Sequence, residues 1–128
     1  MNIGKKAVST MSKKIKTKIK IKAIGLIVED ESAFKSFKIL ISRILNKENI
    51  TFKKQIGNGC GKMRRKAVSY ADNLHRRGCD LVILIHDLDR NNLKTLETNL
   101  NNLIKKSKAK NKFICIPIEE KFEKPQSA

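Results

Sequence analysis

Apolar residues along the chain change their period several times, and each period predicts a strand or a helix. The segments Ile21–Val28, Leu81–Ile85 and Phe113–Ile116 are short, rich in β-branched residues and almost continuously apolar, which is typical of strands buried on both faces. Between Ile50 and Ile56 apolar and polar residues alternate, which predicts a strand near a sheet edge with one face in water. We expect Leu81–Ile85 to lie at the centre of the sheet and Pro117 to end the last strand.

Three amphipathic helices separate these strands, because apolar residues recur there at three- and four-residue spacing. They are Phe34, Phe37, Leu40, Ile41, Ile44 and Leu45 in the first helix, Met63, Ala67, Tyr70, Ala71 and Leu74 in the second, and Leu93, Leu96, Leu100, Leu103 and Ile104 in the third. Ser32 is placed to cap the first helix, and Gly78 to end the second. The order βαβαβαβ predicts an α/β three-layer sandwich with a mostly parallel four-stranded sheet and helices on both faces.

A single domain accounts for this alternation. It spans residues 21–120 of the 128, a length that buries a real hydrophobic core without disulfides or metals. Residues 1–20 carry seven lysines and no acidic residue, which is typical of a disordered basic arm, and residues 121–128 are predicted to be a polar tail.

The charge of the chain indicates a polyanionic partner. Its 29 Lys and Arg residues against 12 Asp and Glu residues give a net charge of +17, and affinity for nucleic acid comes mainly from cations that neutralise phosphates. Lys62, Arg64, Arg65 and Lys66 follow a glycine-rich loop at the start of the second helix, where cations, backbone amides and the helix dipole can converge on a phosphate. We therefore expect DNA or RNA as a partner, and self-association into a homo-oligomer is compatible with the sequence.

Cysteine usage and hydropathy bear on the compartment. Cys60, Cys79 and Cys115 are odd in number and widely spaced, so they predict neither a disulfide framework nor a zinc site. The longest uninterrupted apolar run is far shorter than a membrane span. We expect a cytoplasmic protein that has no membrane partner.

Acidic residues are concentrated where the predicted strands end. Seven of the twelve follow three strands: Glu29, Asp30, Glu31, Asp87, Asp89, Glu119 and Glu120. Ligands of open parallel sheets bind beyond the carboxyl ends of the strands. Carboxylates gathered at one edge repel one another unless a cation lies between them, and Mg²⁺ or Mn²⁺ prefers such oxygen ligands. The sequence therefore predicts a Mg²⁺ or Mn²⁺ site at this edge.

The segments Val28–Phe34 and Ile83–Asn91 together resemble a TOPRIM domain, a family with a Glu after its first strand and an Asp-x-Asp after its third. Further similarity to small stand-alone members lies in Gly57–Lys62 and Ile116–Glu120. The resemblance implies a magnesium-dependent nuclease, similar to the overcoming-lysogenisation-defect nucleases and to phage-defence members.

The resemblance also implies roles for individual residues. Glu29, Asp87 and Asp89 would be catalytic and would hold the metal ion, and Glu119 or Glu120 would join them as ligands. Arg90, directly after the Asp-x-Asp motif, is expected to contact nucleic acid together with the basic residues of the second helix.

Two other function classes stay open. Leu26–Glu31 is also similar to the acidic pair after the first strand of a response-regulator receiver domain, in which Asp87 would be the phosphoacceptor. The second is a non-enzymatic nucleic-acid binder that uses only the basic arm and helix. The glycine-rich segment Gly57–Lys62 lacks the spacing of a nucleotide-triphosphate loop, which excludes that class.

Overall fold

The computed structural model of the chain describes residues 21–46, 49–87 and 92–118. The arm predicted at residues 1–20 and the tail predicted at 121–128 lie outside these ranges. Strands and helices alternate in the predicted order: β1 (Ala23–Val28), α1 (Glu31–Leu45), β2 (Thr51–Ile56), α2 (Cys60–Arg76), β3 (Leu81–Asp87), α3 (Leu93–Lys106), a short 3₁₀ turn (Lys110–Lys112) and β4 (Phe113–Ile118).

The four strands form one sheet in the order β2-β1-β3-β4, and every neighbouring pair is parallel. This confirms the predicted α/β class and the internal position of β3. The chain moves from β1 outward to β2, then returns across β1 to β3 and continues outward to β4. The strand order thus reverses between β1 and β3, and in such sheets the reversal opens a crevice at the carboxyl ends of the two strands.

Apolar side chains cover both faces of the sheet. On one face α1 packs through Phe34, Phe37 and Ile41 against a cluster that includes Ile24, Leu26, Val28, Leu81, Ile83, Ile85, Ile116 and Ile118. On the other face α2 and α3 pack side by side over Ile27, Val82, Leu84, Phe113 and Cys115, with Met63, Ala67, Ala71 and Leu74 of α2 and Leu96 and Leu100 of α3. The helices therefore leave their charged faces to solvent, as the amphipathic pattern predicts.

Three predicted boundaries are wrong. Asp30, not Ser32, caps α1, since its extended backbone lets Oδ1 accept from the Ala33 amide at 2.8 Å. β3 continues two residues beyond Ile85 and ends at Asp87. β4 runs through Pro117 instead of ending there, because β4 pairs only with β3 among the described strands and an edge strand tolerates a residue that lacks an N–H.

Asp80 closes the amino-terminal edge of the sheet. Its carboxylate accepts from the backbone amides of Lys22 and Ala23 at 2.8 and 3.0 Å, and its own amide donates to the Ala23 carbonyl at 2.7 Å. These two hydrogen bonds to the carboxylate hold the pKa of Asp80 below its usual value. Asp80 thereby joins the start of β3 to the start of β1, at the edge opposite the carboxyl ends of the strands.

The helices are short and carry charged faces. Among the described residues, none of them is both long enough and apolar enough to cross a membrane.

Candidate functional site

Glu29 lies at the crevice between β1 and β3. It follows directly after β1 and shares the strand face of Gly25 and Ile27, since side chains alternate along a strand. That is the face covered by α2, and the Glu29 carboxylate accordingly reaches the first residue of this helix: Cys60 Sγ lies 3.6 Å from Glu29 Oε2. The backbone carbonyl of Glu29 accepts from the Asn58 amide at 2.8 Å.

Asp87 reaches the same place from the neighbouring strand. It is the last residue of β3, is half-buried, and pairs in register with Ile118 of β4. Its backbone amide donates a hydrogen bond to the sulfur of Cys60, and its carboxylate is close enough to act electrostatically on the same thiol. Glu29 and Asp87, two of the residues predicted for the site, therefore both lie near Cys60.

The surroundings keep Cys60 protonated. Its pKa is raised to about 11, first because burial disfavours the thiolate, and also because the Glu29 and Asp87 carboxylates repel negative charge; the Asp87 amide opposes the shift. At neutral pH the residue is a thiol, and its S–H group donates to the Glu29 carboxylate. A neutral thiol leaves the two carboxylates as the hard ligands of this site.

The loop before α2 holds Cys60 in place. The Gly57 amide donates to the Val28 carbonyl at 2.7 Å, so the loop is tied to the end of β1. Asn58 and Gly59 both have positive φ, 57° and 117°, and this left-handed path turns the chain sharply into α2. No side chain of the described residues caps the helix at Gly59. The amino terminus of this 17-residue helix thus lies next to the Glu29 carboxylate, which its first residue, Cys60, contacts.

The predicted basic cluster surrounds the start of this helix. Lys62, Arg65 and Lys66 are exposed, and Arg64 is half-buried. None of the four takes part in a salt bridge with another described residue. Their charges face solvent beside the crevice, where they can approach a phosphate group.

The acidic run after β1 does not act as one cluster. Asp30 is occupied as the cap of α1, while Glu31 pairs with Lys54 of β2, whose Nζ lies 2.8 Å from both carboxylate oxygens. Only Glu29 of the three turns toward α2. Helix capping and the ion pair with β2 therefore separate Asp30 and Glu31 from Glu29, the one residue of this run that the resemblance assigns to the site.

Four of the predicted site residues, Asp89, Arg90, Glu119 and Glu120, lie outside the described residues. Within the described ranges, no three or more His, Cys, Asp and Glu side chains form a group that could hold a metal ion. Of the predicted metal ligands, the described residues include Glu29 and Asp87. The register places Ile118, the last described residue of β4, beside Asp87.

Two residues of the site were not predicted for it. The sequence around Cys60 has neither the spacing of metal ligands nor a nucleophile motif. The one sequence feature that could have pointed to Cys60 is its position as the first helical residue after a glycine loop. His86 precedes Asp87 and is fully buried on the face covered by α2 and α3. Its Nδ1 lies 2.6 Å from the Asp87 carbonyl. Because a carbonyl only accepts, this contact places the ring proton on Nδ1.

Comparison with known proteins gave no family assignment. No model of a protein family matches the chain, and neither a curated protein nor a solved structure matches it. The TOPRIM resemblance accordingly remains an expectation from the sequence motifs.

The contact between Cys60 and Glu29 has a measurable consequence. Replacing Glu29 with glutamine removes a negative charge that disfavours the thiolate, so alkylation of Cys60 by iodoacetamide at pH 8 is expected to become several-fold faster. Peptide mass spectrometry reports the rate at Cys60 separately from buried Cys79 and Cys115. Glu97→Gln, an exposed change on α3, serves as the control. An unchanged Cys60 rate in Glu29→Gln would contradict the contact.

Proposed function

We propose that the chain is a nuclease that depends on Mg²⁺ or Mn²⁺ and hydrolyses nucleic-acid phosphodiesters. The observation that carries the proposal is the convergence of Glu29 and Asp87 on Cys60, at the point where the strand order reverses. Carboxylates and a helix amino terminus meet there, beside cations that have no salt-bridge partner among the described residues. This combination suits a divalent cation together with a phosphate group.

The residues present fit the expected cation by their chemistry. Glu29 and Asp87 offer carboxylate oxygens, and the thiol of Cys60 stays protonated, so the donors favour Mg²⁺ or Mn²⁺ over a thiophilic metal. Asp89, Glu119 and Glu120 complete the ligand set in this proposal. When bound, the ion supplies Lewis-acid stabilisation of the charge that develops on the phosphoryl oxygens.

The chain itself contributes orientation and proton transfer. In the proposed reaction a water molecule attacks the phosphorus atom and its proton passes to Glu29, while the bond from phosphorus to the leaving sugar oxygen breaks and that oxygen takes up a proton from solvent. The Cys60 S–H group holds the Glu29 carboxylate in one orientation for this step. Lys62, Arg65 and Lys66 hold the adjacent phosphates in this proposal, and Arg90 is expected to contact nucleic acid as well.

A cleavage assay tests the proposal. Labelled duplex DNA, duplex RNA and single-stranded DNA are incubated with the protein in Mg²⁺, in Mn²⁺ and in EDTA. We expect cleavage with either ion and none in EDTA. Binding without cleavage under all conditions would contradict the nuclease and support the non-enzymatic binder.

The strand order supports a second candidate function. The order β2-β1-β3-β4 equals the first four strands of the 2-1-3-4-5 order found in doubly wound proteins such as receiver domains. In that alternative Asp87, at the end of β3, is a phosphoacceptor beside Glu29. Incubation with acetyl phosphate and Mg²⁺, followed by mass spectrometry, separates the two candidates: a phosphoryl adduct on Asp87 supports the receiver, and its absence excludes it.

The remaining parts of the proposal concern setting and partners. We place the protein in the cytoplasm, with nucleic acid as its partner, and a role in phage defence follows from the TOPRIM resemblance alone.

A further inference from the structure

Five lysines follow one another closely at the end of α3. Lys105, Lys106, Lys108, Lys110 and Lys112 are all exposed. The segment that carries them includes the last turn of α3 and the 3₁₀ turn before β4. It therefore lies at the amino-terminal edge of the sheet, opposite the candidate active site.

Two hydrogen bonds to Asp72 fix this segment against α2. Asp72 Oδ1 accepts from Ser107 Oγ at 2.6 Å and from the Lys108 amide at 2.9 Å, and Ser107 is only 3% exposed. Arg76 lies one turn after Asp72 on the same side of α2. The hydrogen bonds therefore bring Arg76 toward the lysines, and together these six residues form what we term the distal patch: Arg76, Lys105, Lys106, Lys108, Lys110 and Lys112.

Few acidic groups oppose the distal patch. Asp72 faces it through its hydrogen bonds to Ser107 and Lys108, and Asp80 lies near Lys112. These two carboxylates stand against the six cations of the patch. Among described residues, the one salt bridge joins Lys54 and Glu31, far from this surface. The distal patch therefore keeps a large net positive charge in water.

Cations also lie at both ends of α2. Lys62, Arg65 and Lys66 are in its first two turns and Arg76 is its last residue, and Lys62 and Arg76 are separated by about 20 Å at 1.5 Å per residue. That distance equals about six base pairs of a duplex at 3.4 Å each. A duplex that lies along α2 therefore meets cations at both ends of the helix.

Surface chemistry favours a duplex over other polyanions. The large apolar residues exposed in the described ranges are Ile39 on α1 and Leu93 at the start of α3, so no described apolar group beside the distal patch could enter a membrane. The one tyrosine, Tyr70, packs against the core, which leaves the described surface around the patch without an aromatic platform for stacking unpaired bases. Cations without aromatics are suited to a phosphate backbone.

We infer that the distal patch is a second nucleic-acid contact, which holds the backbone of a duplex about six base pairs from the point of cleavage, at 3.4 Å per base pair. The inference rests on the proposed nuclease function, which puts cleavage at the other end of α2. Binding at the distal patch is sequence-independent, because phosphate contacts fix position without reading bases.

The test compares two variants that remove the same charge. One carries Lys105→Gln, Lys106→Gln and Lys108→Gln. The other carries Lys35→Gln, Lys38→Gln and Arg43→Gln on α1, on the opposite side of the sheet. Fluorescence anisotropy measures binding of a 20-base-pair DNA or RNA duplex in EDTA, over a range of salt concentrations, so that cleavage plays no part.

We expect the distal variant to bind the DNA duplex at least tenfold more weakly than the wild type. The slope of log K against log salt concentration is expected to become shallower by about 0.9 for each phosphate that the protein no longer neutralises. We expect the α1 variant to stay close to the wild type. Equal weakening in both variants, or none in the distal one, would overturn the inference, as would stronger binding to anionic phosphatidylserine vesicles than to either duplex.

The binding assay keeps this inference separate from the nuclease proposal. If the wild type cleaves but the distal variant binds normally, the distal contact is wrong and the nuclease stands. If binding depends on the distal patch but no cation supports cleavage, the nuclease is wrong and the distal contact stands.

Discussion

Replacing Asp87 with asparagine is expected to lower cation-dependent cleavage by about 10²- to 10⁴-fold, the factor that several kcal/mol of transition-state stabilisation represents. Asparagine has the same shape, and the backbone amide that donates to Cys60 is unaffected. What disappears is the negative charge that the cation requires. Initial cleavage rates on a labelled duplex in Mg²⁺ measure the effect, and Glu29→Gln is expected to reduce the rate by a similar factor.

Glu31 supplies the matched control for this prediction. It belongs to the same acidic run as Glu29, but its carboxylate pairs with Lys54. Glu31→Gln removes the same charge and is expected to keep cleavage within about twofold of the wild type, since an exposed ion pair adds little stability. A cleavage rate that falls equally in Glu31→Gln and Asp87→Asn would contradict the conclusion that Glu31 lies apart from the site that contains Glu29 and Asp87.

Replacing Gly57 with alanine is expected to destabilise the protein by about 1–3 kcal/mol, the usual cost of overpacking a filled site. A Cβ at Gly57 would lie 2.5 Å from Met63 Cβ and 3.1 Å from Met63 Cα. Met63 is fully buried in the core beneath α2, so the start of the helix would have to move. Urea unfolding followed by circular dichroism measures the change.

A second glycine of the same segment provides the control. A Cβ at Gly61 would lie 3.6 Å from the Arg65 side chain, an ordinary van der Waals distance, and Gly61 lies inside α2. Alanine is favoured over glycine in a helix, so Gly61→Ala is expected to stabilise the protein by about 0.5–1 kcal/mol. Equal stability of the two variants would contradict the packing of the loop against Met63.

The fold could be predicted because its signals are local. The apolar run Leu81–Ile85 has no polar face and lies inside the sheet, whereas the alternating Ile50–Ile56 segment became the edge strand β2. Helix periods identified every buried residue of α2 and α3, and all but Ala33 of α1. The ends of elements were harder to predict, because Asp30 and Ser32 are both good caps and only the backbone conformation selects between them.

The candidate site could be predicted only in part. Strand-end position was enough to place Glu29 and Asp87 at the same edge of the sheet, since parallel strands bring their carboxyl ends to one edge. It did not distinguish Glu29 from Glu31, because their separate partners, Cys60 and Lys54, come from elements distant in sequence. Cys60 itself was missed for the same reason. Its role depends on two carboxylates that only the folded chain brings near it.

A calorimetric titration with Mn²⁺ tests the central claim, that Glu29 and Asp87 together hold a divalent cation at the crevice between β1 and β3. The wild type and Glu31→Gln are predicted to bind Mn²⁺ in a saturable manner with the same affinity. Glu29→Gln and Asp87→Asn are predicted to lose most of this affinity. Unchanged Mn²⁺ affinity in either of the last two variants, or no saturable binding by the wild type, would contradict the claim.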